Sequence, residues 1–254
     1  MTQLKEITKY LDELLDIAAI PDDSSNNGLQ VEAAQVVKKA VFGVDACQAL
    51  FEAAMNKNAD FIFVHHGISW RSEPRRFTGM TALRLELLFS NGISLYAAHL
   101  PLDAHQKIGH NALLADMIKL QDCYSFANYN GCALARGGVL PQTCLASELV
   151  EKFESELNCK AKVFGNPDKK LKKIGVISGG GGLDGLLACI DEGMDCYVTG
   201  EMTHMMYHVV RESGITVIEL GHYYSEIPGV LAVMNEIEKK FAIECEFIDI
   251  PTSL

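Results

Sequence analysis

The sequence predicts an α/β protein made of two interlinked α/β halves with mainly parallel sheets, and three observations carry that reading. Short apolar runs alternate with amphipathic segments of helical length along most of the chain, the order that lays helices on the faces of a parallel sheet. Several of the apolar runs end in histidine or a carboxylate, as in Phe61-Ile62-Phe63-Val64-His65-His66-Gly67, and open α/β sheets gather their chemistry at the C-terminal ends of strands. A glycine-rich, weakly periodic stretch from Asp122 to Gly138 divides a first half, residues 1–127, from a second, residues 128–254. A metal site in the cleft between the halves is the expected arrangement. The C-terminal segment is left open to packing back on the first half.

The first half opens with an amphipathic helix through Ile7, Leu11, Leu14, Leu15 and Ile17, followed by the polar turn Pro21-Asp22-Asp23-Ser24-Ser25-Asn26-Asn27-Gly28. Strand Ala40 to Val44, helix Gln48 to Lys57, strand Asp60 to Val64, helix Met80 to Ser90, strand Ile93 to Ala98 and helix Asn111 to Leu120 then alternate. In the second half a helix from Ala146 to Leu157 precedes strands Ala161 to Phe164 and Lys173 to Ser178. Helix Leu183 to Asp191, strand Asp195 to Val198, helix His204 to Ser213 and strand Ile215 to Glu219 follow. A last helix from about Ser225 to Lys240 and a closing strand Cys245 to Ile250 complete the order.

Composition excludes several classes. At 254 residues the chain is long enough to bury about 70–75% of its unfolded surface, so it needs no disulfides to fold. The net charge of −11 argues against a sequence-independent nucleic-acid binder, which needs clustered Lys and Arg. The one basic run, Lys169 to Lys173, reads as the solvated approach to a strand. Eight scattered cysteines without a C-x-x-C pair fit reduced thiols and a cytoplasmic protein rather than a disulfide framework. Acidic residues in the first helix are unlike a secretory signal, and no run reaches the length of a membrane span.

Three segments carry the chemistry. On a regular strand the adjacent His65 and His66 would face opposite ways, so the chain is expected to be turning there, as Gly67 permits. In His99-Leu100-Pro101-Leu102-Asp103, Pro101 is expected to keep the loop stiff and non-helical so that His99 and Asp103 reach one place; by itself the segment reads equally well as a turn capped by Asp103. In Gly221-His222-Tyr223-Tyr224-Ser225-Glu226, His222 and Glu226 share a helix face at i, i+4 spacing; alone, Glu226 also reads as a complement to the helix dipole. Three imidazoles and two carboxylates at corresponding strand ends exceed a usual catalytic zinc set and suit two metals sharing a bridging carboxylate, for which Glu226 is the best candidate. Nitrogen and oxygen donors admit zinc, manganese or iron.

At this point the sequence resembles a known family. Asn27-Gly28-Leu29-Gln30-Val31, Val64-His65-His66-Gly67, His99-Leu100-Pro101-Leu102-Asp103, Thr199-Gly200-Glu201 and Gly221-His222-Tyr223-Tyr224-Ser225-Glu226 are similar to the ordered motifs of the GTP cyclohydrolase I type 2 homologs, also called NGG-interacting-factor-three-like proteins. The resemblance implies a dinuclear metal site whose ligands match His65, His66, Asp103, His222 and Glu226, with His99 beside it. It also implies a homohexameric ring and a metal-dependent hydrolase that opens the guanine ring of GTP or acts on a related small molecule. The alternative is a non-catalytic metal-binding adaptor in a ring-like assembly. The chain has no G-x-x-x-x-G-K-[ST] loop to support a nucleotide independently.

Two further features compete for attention. Ser178-Gly179-Gly180-Gly181-Gly182 lies between a strand and a helix, where backbone N–H groups can cradle a phosphate; a tight turn accounts for it as well. Glu201-Met202-Thr203-His204 follows another strand, and His99, Glu201 and His204 are the candidates for proton transfer.

Overall fold

The computed structural model describes residues 1–71, 76–129 and 131–254. Its chain forms two compact units, Met1–Leu102 with Gly229–Ile250, and Asp103–Pro228 with Pro251–Leu254.

The first unit begins with β1 (Thr2–Gln3) and α1 (Leu4–Leu15). Leu4, Ile7, Leu11 and Leu15 form the buried stripe of α1, and Glu6 accepts a hydrogen bond from the backbone N–H of Gln3 at its start. Asp16, left-handed at φ 46°, ends it. The chain continues through β2 (Gly28–Val31), β3 (Val36–Val37), β4 (Lys39–Asp45), α2 (Gln48–Asn56), β5 (Phe61–His66), α3 (Met80–Ser90), β6 (Ser94–Ala97) and α4 (Leu100–Ala104).

In the second unit come α5 (His110–Met117), β7 (Gln121–Tyr129), β8 (Cys132–Leu145), α6 (Ala146–Leu157), β9 (Lys162–Phe164), β10 (Lys170–Ile177), α7 (Gly182–Asp191), β11 (Cys196–Thr199), α8 (Met206–Ser213), β12 (Thr216–Glu219) and α9 (His222–Ser225). Then α10 (Ile227–Lys240) and β13 (Glu244–Phe247) return to the first unit.

The first unit's sheet runs β13-β4-β5-β6-β2. Its pairs are parallel except for β2 against β6. On one face Ile62, Val64, Leu95 and Ala97 pack with Leu50, Phe51 and Leu88 from α2 and α3. On the other, Phe42, Phe63 and Tyr96 form a run of rings with centroids 5.7 and 5.9 Å apart, and the Tyr96 hydroxyl donates to Asp12 of α1 at 2.7 Å. Each such buried aromatic or aliphatic side chain contributes about 1.5–3 kcal/mol.

The second unit's sheet runs β7-β8-β10-β11-β12-β9. Its centre, β10-β11-β12, is parallel, while β7, β8 and β9 pair antiparallel. Strand alternation sorts its side chains into two clusters. Ile174, Val176, Cys196, Val198 and Ile218 pack with Leu149 and Phe153 of α6. Ile177, Tyr197 and Val217 face Leu186 and Cys189 of α7 and Val210 of α8.

Three expectations are corrected. Within the stretch Asp122 to Gly138, read as glycine-rich and weakly periodic, residues 122–129 belong to β7 and 132–138 to the start of β8. Their glycines hide a strand because Gly137 and Gly138 sit where a Cβ would crowd Met194, Tyr124 and the Gln121 carbonyl. The chain has not begun to turn at His65: β5 continues through His66, which pairs with Asp45 of β4. Pro101 does not keep its segment out of a helix, for Leu100–Ala104 is α4. Proline is tolerated in a first turn, where its missing N–H would have no helical partner.

Candidate functional site

Each unit brings chemistry-bearing side chains together at the ends of its parallel strands. In the first unit, His65 and His66 close β5 and His99 follows β6. Their ring centroids lie 4.5 Å apart for His65 and His66, 5.1 Å for His65 and His99, and 5.6 Å for His66 and His99. One nitrogen of each lies within 4.8 Å of the others. The rings converge although their residues alternate along the strand, because each is drawn by a different neighbour. His65 is tied to the Ala98 carbonyl beyond β6 at 2.9 Å, and His66 to Asp45 at the end of β4 at 2.8 Å.

In both contacts Nδ1 faces a pure acceptor, so Nδ1 donates, which selects the tautomer whose lone pair lies on Nε2. His99 has the same polarity, with Nδ1 donating to Asp23 at 2.8 Å. Asp23 is 1% exposed at its side chain. Burial alone would raise its carboxyl, but hydrogen bonds from His99, Asn27 and the Ser25 backbone more than offset this and hold it below the ordinary carboxylate range.

The motif Asn27-Gly28-Leu29-Gln30 frames this group. Asn27 donates to Asp23 and accepts from the His99 backbone N–H, both at 2.8 Å. Gln30 accepts from Ile68 and Ser69 N–H and donates to the Asn26 carbonyl. Gly67 is required beneath it, since a Cβ there would overlap the Gln30 amide. Trp70 donates to the Gly67 carbonyl at 2.9 Å and sets its ring edgewise to His99, with centroids 5.1 Å apart.

In the second unit, His222 opens α9 and Glu226 follows it. His222 Nδ1 donates to Glu201 at 2.6 Å, and its Nε2 lies 3.1 Å from the buried Glu226 carboxylate. Burial pulls the imidazole pKa down, yet Glu226 and Glu201 outweigh it and raise it to about 9. The glycine loop after β10 packs against this pair. Gly179, at φ 57°, has no room for a Cβ beside the Glu226 carboxylate, and Ser225 accepts from its N–H at 2.9 Å. Gly200 allows β11 to approach, because a Cβ would stand 2.7 Å from both the Gly179 carbonyl and Ser225 Oγ.

Asp103, buried at the end of α4, accepts from Ser178 Oγ at 2.9 Å. Asn111 links the same elements, donating to the Leu134 carbonyl at 2.8 Å and accepting from the Ser178 N–H at 2.6 Å. His110, fully buried, has a ring nitrogen within 4.8 Å of the Asp103 carboxylate.

Of the candidate proton-transfer residues, His99 stands with His65 and His66, and Glu201 is hydrogen-bonded to His222. His204 is exposed in the turn before α8. Asp23, Asp45 and His110 were not singled out from the sequence. For Asp45 a signal exists, since it ends a strand as the recognised site residues do.

Such carboxylate or carbonyl contacts to Nδ1 are the usual support of metal-binding histidines. Fold and donor sets together define an α/β protein with possible metal-binding groups of histidine and carboxylate. The chain belongs to the Duf34/NIF3 (NGG1p interacting factor 3) family, whose model it matches over residues 2–253. It is 39% identical over 251 residues to a "GTP cyclohydrolase 1 type 2 homolog" of Archaeoglobus fulgidus, covering 99% of each chain. A solved structure described as "Structural genomics, protein ybgI, unknown function" superposes with a TM-score of 0.91 at 33% identity, over 100% of both chains. A second solved structure, TTHA1606 from Thermus thermophilus, gives a TM-score of 0.88 at 37% identity, again over 100% of both. Among the described residues no helix is long and apolar enough to cross a membrane.

Proposed function

We propose that the protein is a dinuclear divalent-metal-dependent hydrolase acting on a nucleotide or a related small molecule. The observation that carries this reading is a shared polarity. His65, His66 and His222 each direct Nδ1 to an acceptor, at 2.9, 2.8 and 2.6 Å, the support typical of imidazoles that meet a cation through Nε2; in His222 that nitrogen already lies 3.1 Å from the Glu226 carboxylate, a second donor for the same ion. His65, His66, Asp103, His222 and Glu226 would hold two cations of zinc, manganese or iron, and these nitrogen and oxygen donors fit any of the three. When bound, such ions lower the pKa of a water and polarise the bond to be cleaved.

The remaining steps fall to the chain's own groups. Asp45 and Glu201 orient His66 and His222. His99, held by Asp23 at Nδ1, accepts or returns a proton at Nε2, with Glu201 and His204 as the other candidates for proton movement. Relatives that bear the name GTP cyclohydrolase 1 type 2 homolog make a guanine nucleotide the first substrate class to test. The same family resemblance supports a cytoplasmic homohexamer.

The test is to incubate metal-loaded protein with GTP and a panel of nucleotides and to follow loss of the substrate by chromatography and of the purine absorbance. The expected result is turnover that disappears on chelation and in Glu226→Ala. If the loaded wild type changes none of the substrates more than Glu226→Ala does, the hydrolase reading fails and a metal-binding adaptor takes its place.

A further inference from the structure

His110 is the first residue of α5 and is fully buried. Its neighbours on the inner face of that helix, Ala112, Leu114 and Ala115, are apolar core residues, so an aliphatic side chain would be the ordinary occupant. An imidazole there forgoes water, which is unfavourable unless a partner compensates. Within this unit Asp103 is the carboxylate placed to compensate, with an oxygen within 4.8 Å of a His110 ring nitrogen.

The pair is held on a rigid frame. Ser178 Oγ donates to one Asp103 oxygen at 2.9 Å. Asn111, adjacent to His110, accepts from Ser178 N–H and donates to the Leu134 and Asp103 carbonyls at 2.8 and 3.4 Å. Three segments, the end of α4, the start of α5 and the turn after β10, are thereby locked around one carboxylate and one imidazole. Rigidly positioned donors of this kind are what a cation site requires. Donor atoms within 4.8 Å of one another are near enough to be candidates for one ion, whose bonds to such nitrogen and oxygen atoms are about 2.0–2.2 Å.

We propose that His110 is a further nitrogen donor to the metal beside Asp103, enlarging the set of five to six. The inference rests on the metal-binding reading above and adds a ligand to it.

The experiment uses the full chain depleted of metal and titrated with Co²⁺, comparing wild type, His110→Asn and, as a control, the exposed His208→Asn. Bound cobalt is counted by elemental mass spectrometry, and its visible absorption reports the ligand set. The expected result is at least a tenfold weaker cobalt affinity with a changed spectrum in His110→Asn, and no change in His208→Asn. In wild type loaded with ¹¹³Cd, NMR coupling between cadmium and the His110 nitrogen is expected, a readout independent of whether the variant folds. Cobalt binding and spectrum unchanged in a folded His110→Asn, or cadmium coupled to other histidines but not to His110, would overturn this inference while leaving the five-ligand reading intact. Absence of any bound metal in the wild type would overturn both.

Discussion

His66 Nδ1 donates a hydrogen bond to Asp45 across the β5–β4 pair, at 2.8 Å, from directly opposed positions in the two parallel strands. The carboxylate fixes the ring's tautomer, with Nε2 as the nitrogen that would meet a cation in the proposed site. Asp45→Asn keeps the shape but offers an amide that can donate as readily as accept, so the tautomer is no longer imposed. Metal affinity is expected to fall about 10–100-fold, with a thermal midpoint of the metal-free protein within about 2–4 °C of wild type. Competitive titration against a metallochromic chelator measures the first, and calorimetry the second.

Gly179 and Gly182 separate backbone strain from crowding. Both have positive φ, 57° and 60°, but only Gly179 faces the Glu226 carboxylate, whereas nothing lies within 4 Å of a Cβ on Gly182. Gly182→Ala is expected to cost about 1–2 kcal/mol through strain alone. Gly179→Ala adds displacement of Glu226 and is expected to cost about 2–4 kcal/mol, together with loss of metal uptake. Denaturant melts and metal titration of the two variants check the contrast.

The raised pKa of His222 makes the metal-free protein sensitive to alkali. Burial opposes its charge, but Glu226 and Glu201 lift its pKa from 6.5 to about 9. Its contribution to stability is therefore complete below the unfolded value and disappears as pH rises through about 9. At about 1–3 kcal/mol, this lowers the thermal midpoint by roughly 2–12 °C between neutral pH and about pH 10. His222→Gln is expected to flatten that dependence. Because a cation competes with the same proton, metal uptake is expected to strengthen over the same range.

Asp23 shows the opposite sign. Its folded carboxyl lies below the ordinary value, so its contribution is present above the unfolded value near 3.8 and is lost as pH falls through the folded one. Asp23→Ala removes the acceptor for His99, Asn27 and two backbone N–H groups. It is expected to destabilise the protein by about 2–4 kcal/mol, and Asp23→Asn to recover part of that. Urea melts at neutral and acid pH distinguish the two.

The sequence reveals most elements whose apolar period is uninterrupted. The helix read from Ala146 to Leu157 is α6, with Ala146, Leu149, Phe153 and Leu157 buried. The strands that deliver His65, His99 and His222 are likewise legible from apolar runs ending in polar residues. Where glycine replaces side chains, as at Gly137 and Gly138, the period vanishes and β8 is hidden. The orienting carboxylates are hidden for another reason. Asp45 meets His66 through strand register, and Asp23 meets His99 across 76 positions of chain, relationships that no local spacing encodes. His110 is concealed because a single histidine in an apolar helix looks like any other buried residue.

The account's central claim is that these histidines and carboxylates hold metal. Elemental mass spectrometry of protein purified without added metal or chelator, beside His66→Ala and Glu226→Ala, tests it most directly. The account predicts about two divalent cations per chain in the wild type and a sharp fall in both variants. Wild type without bound metal, or variants that retain the full amount, would contradict it.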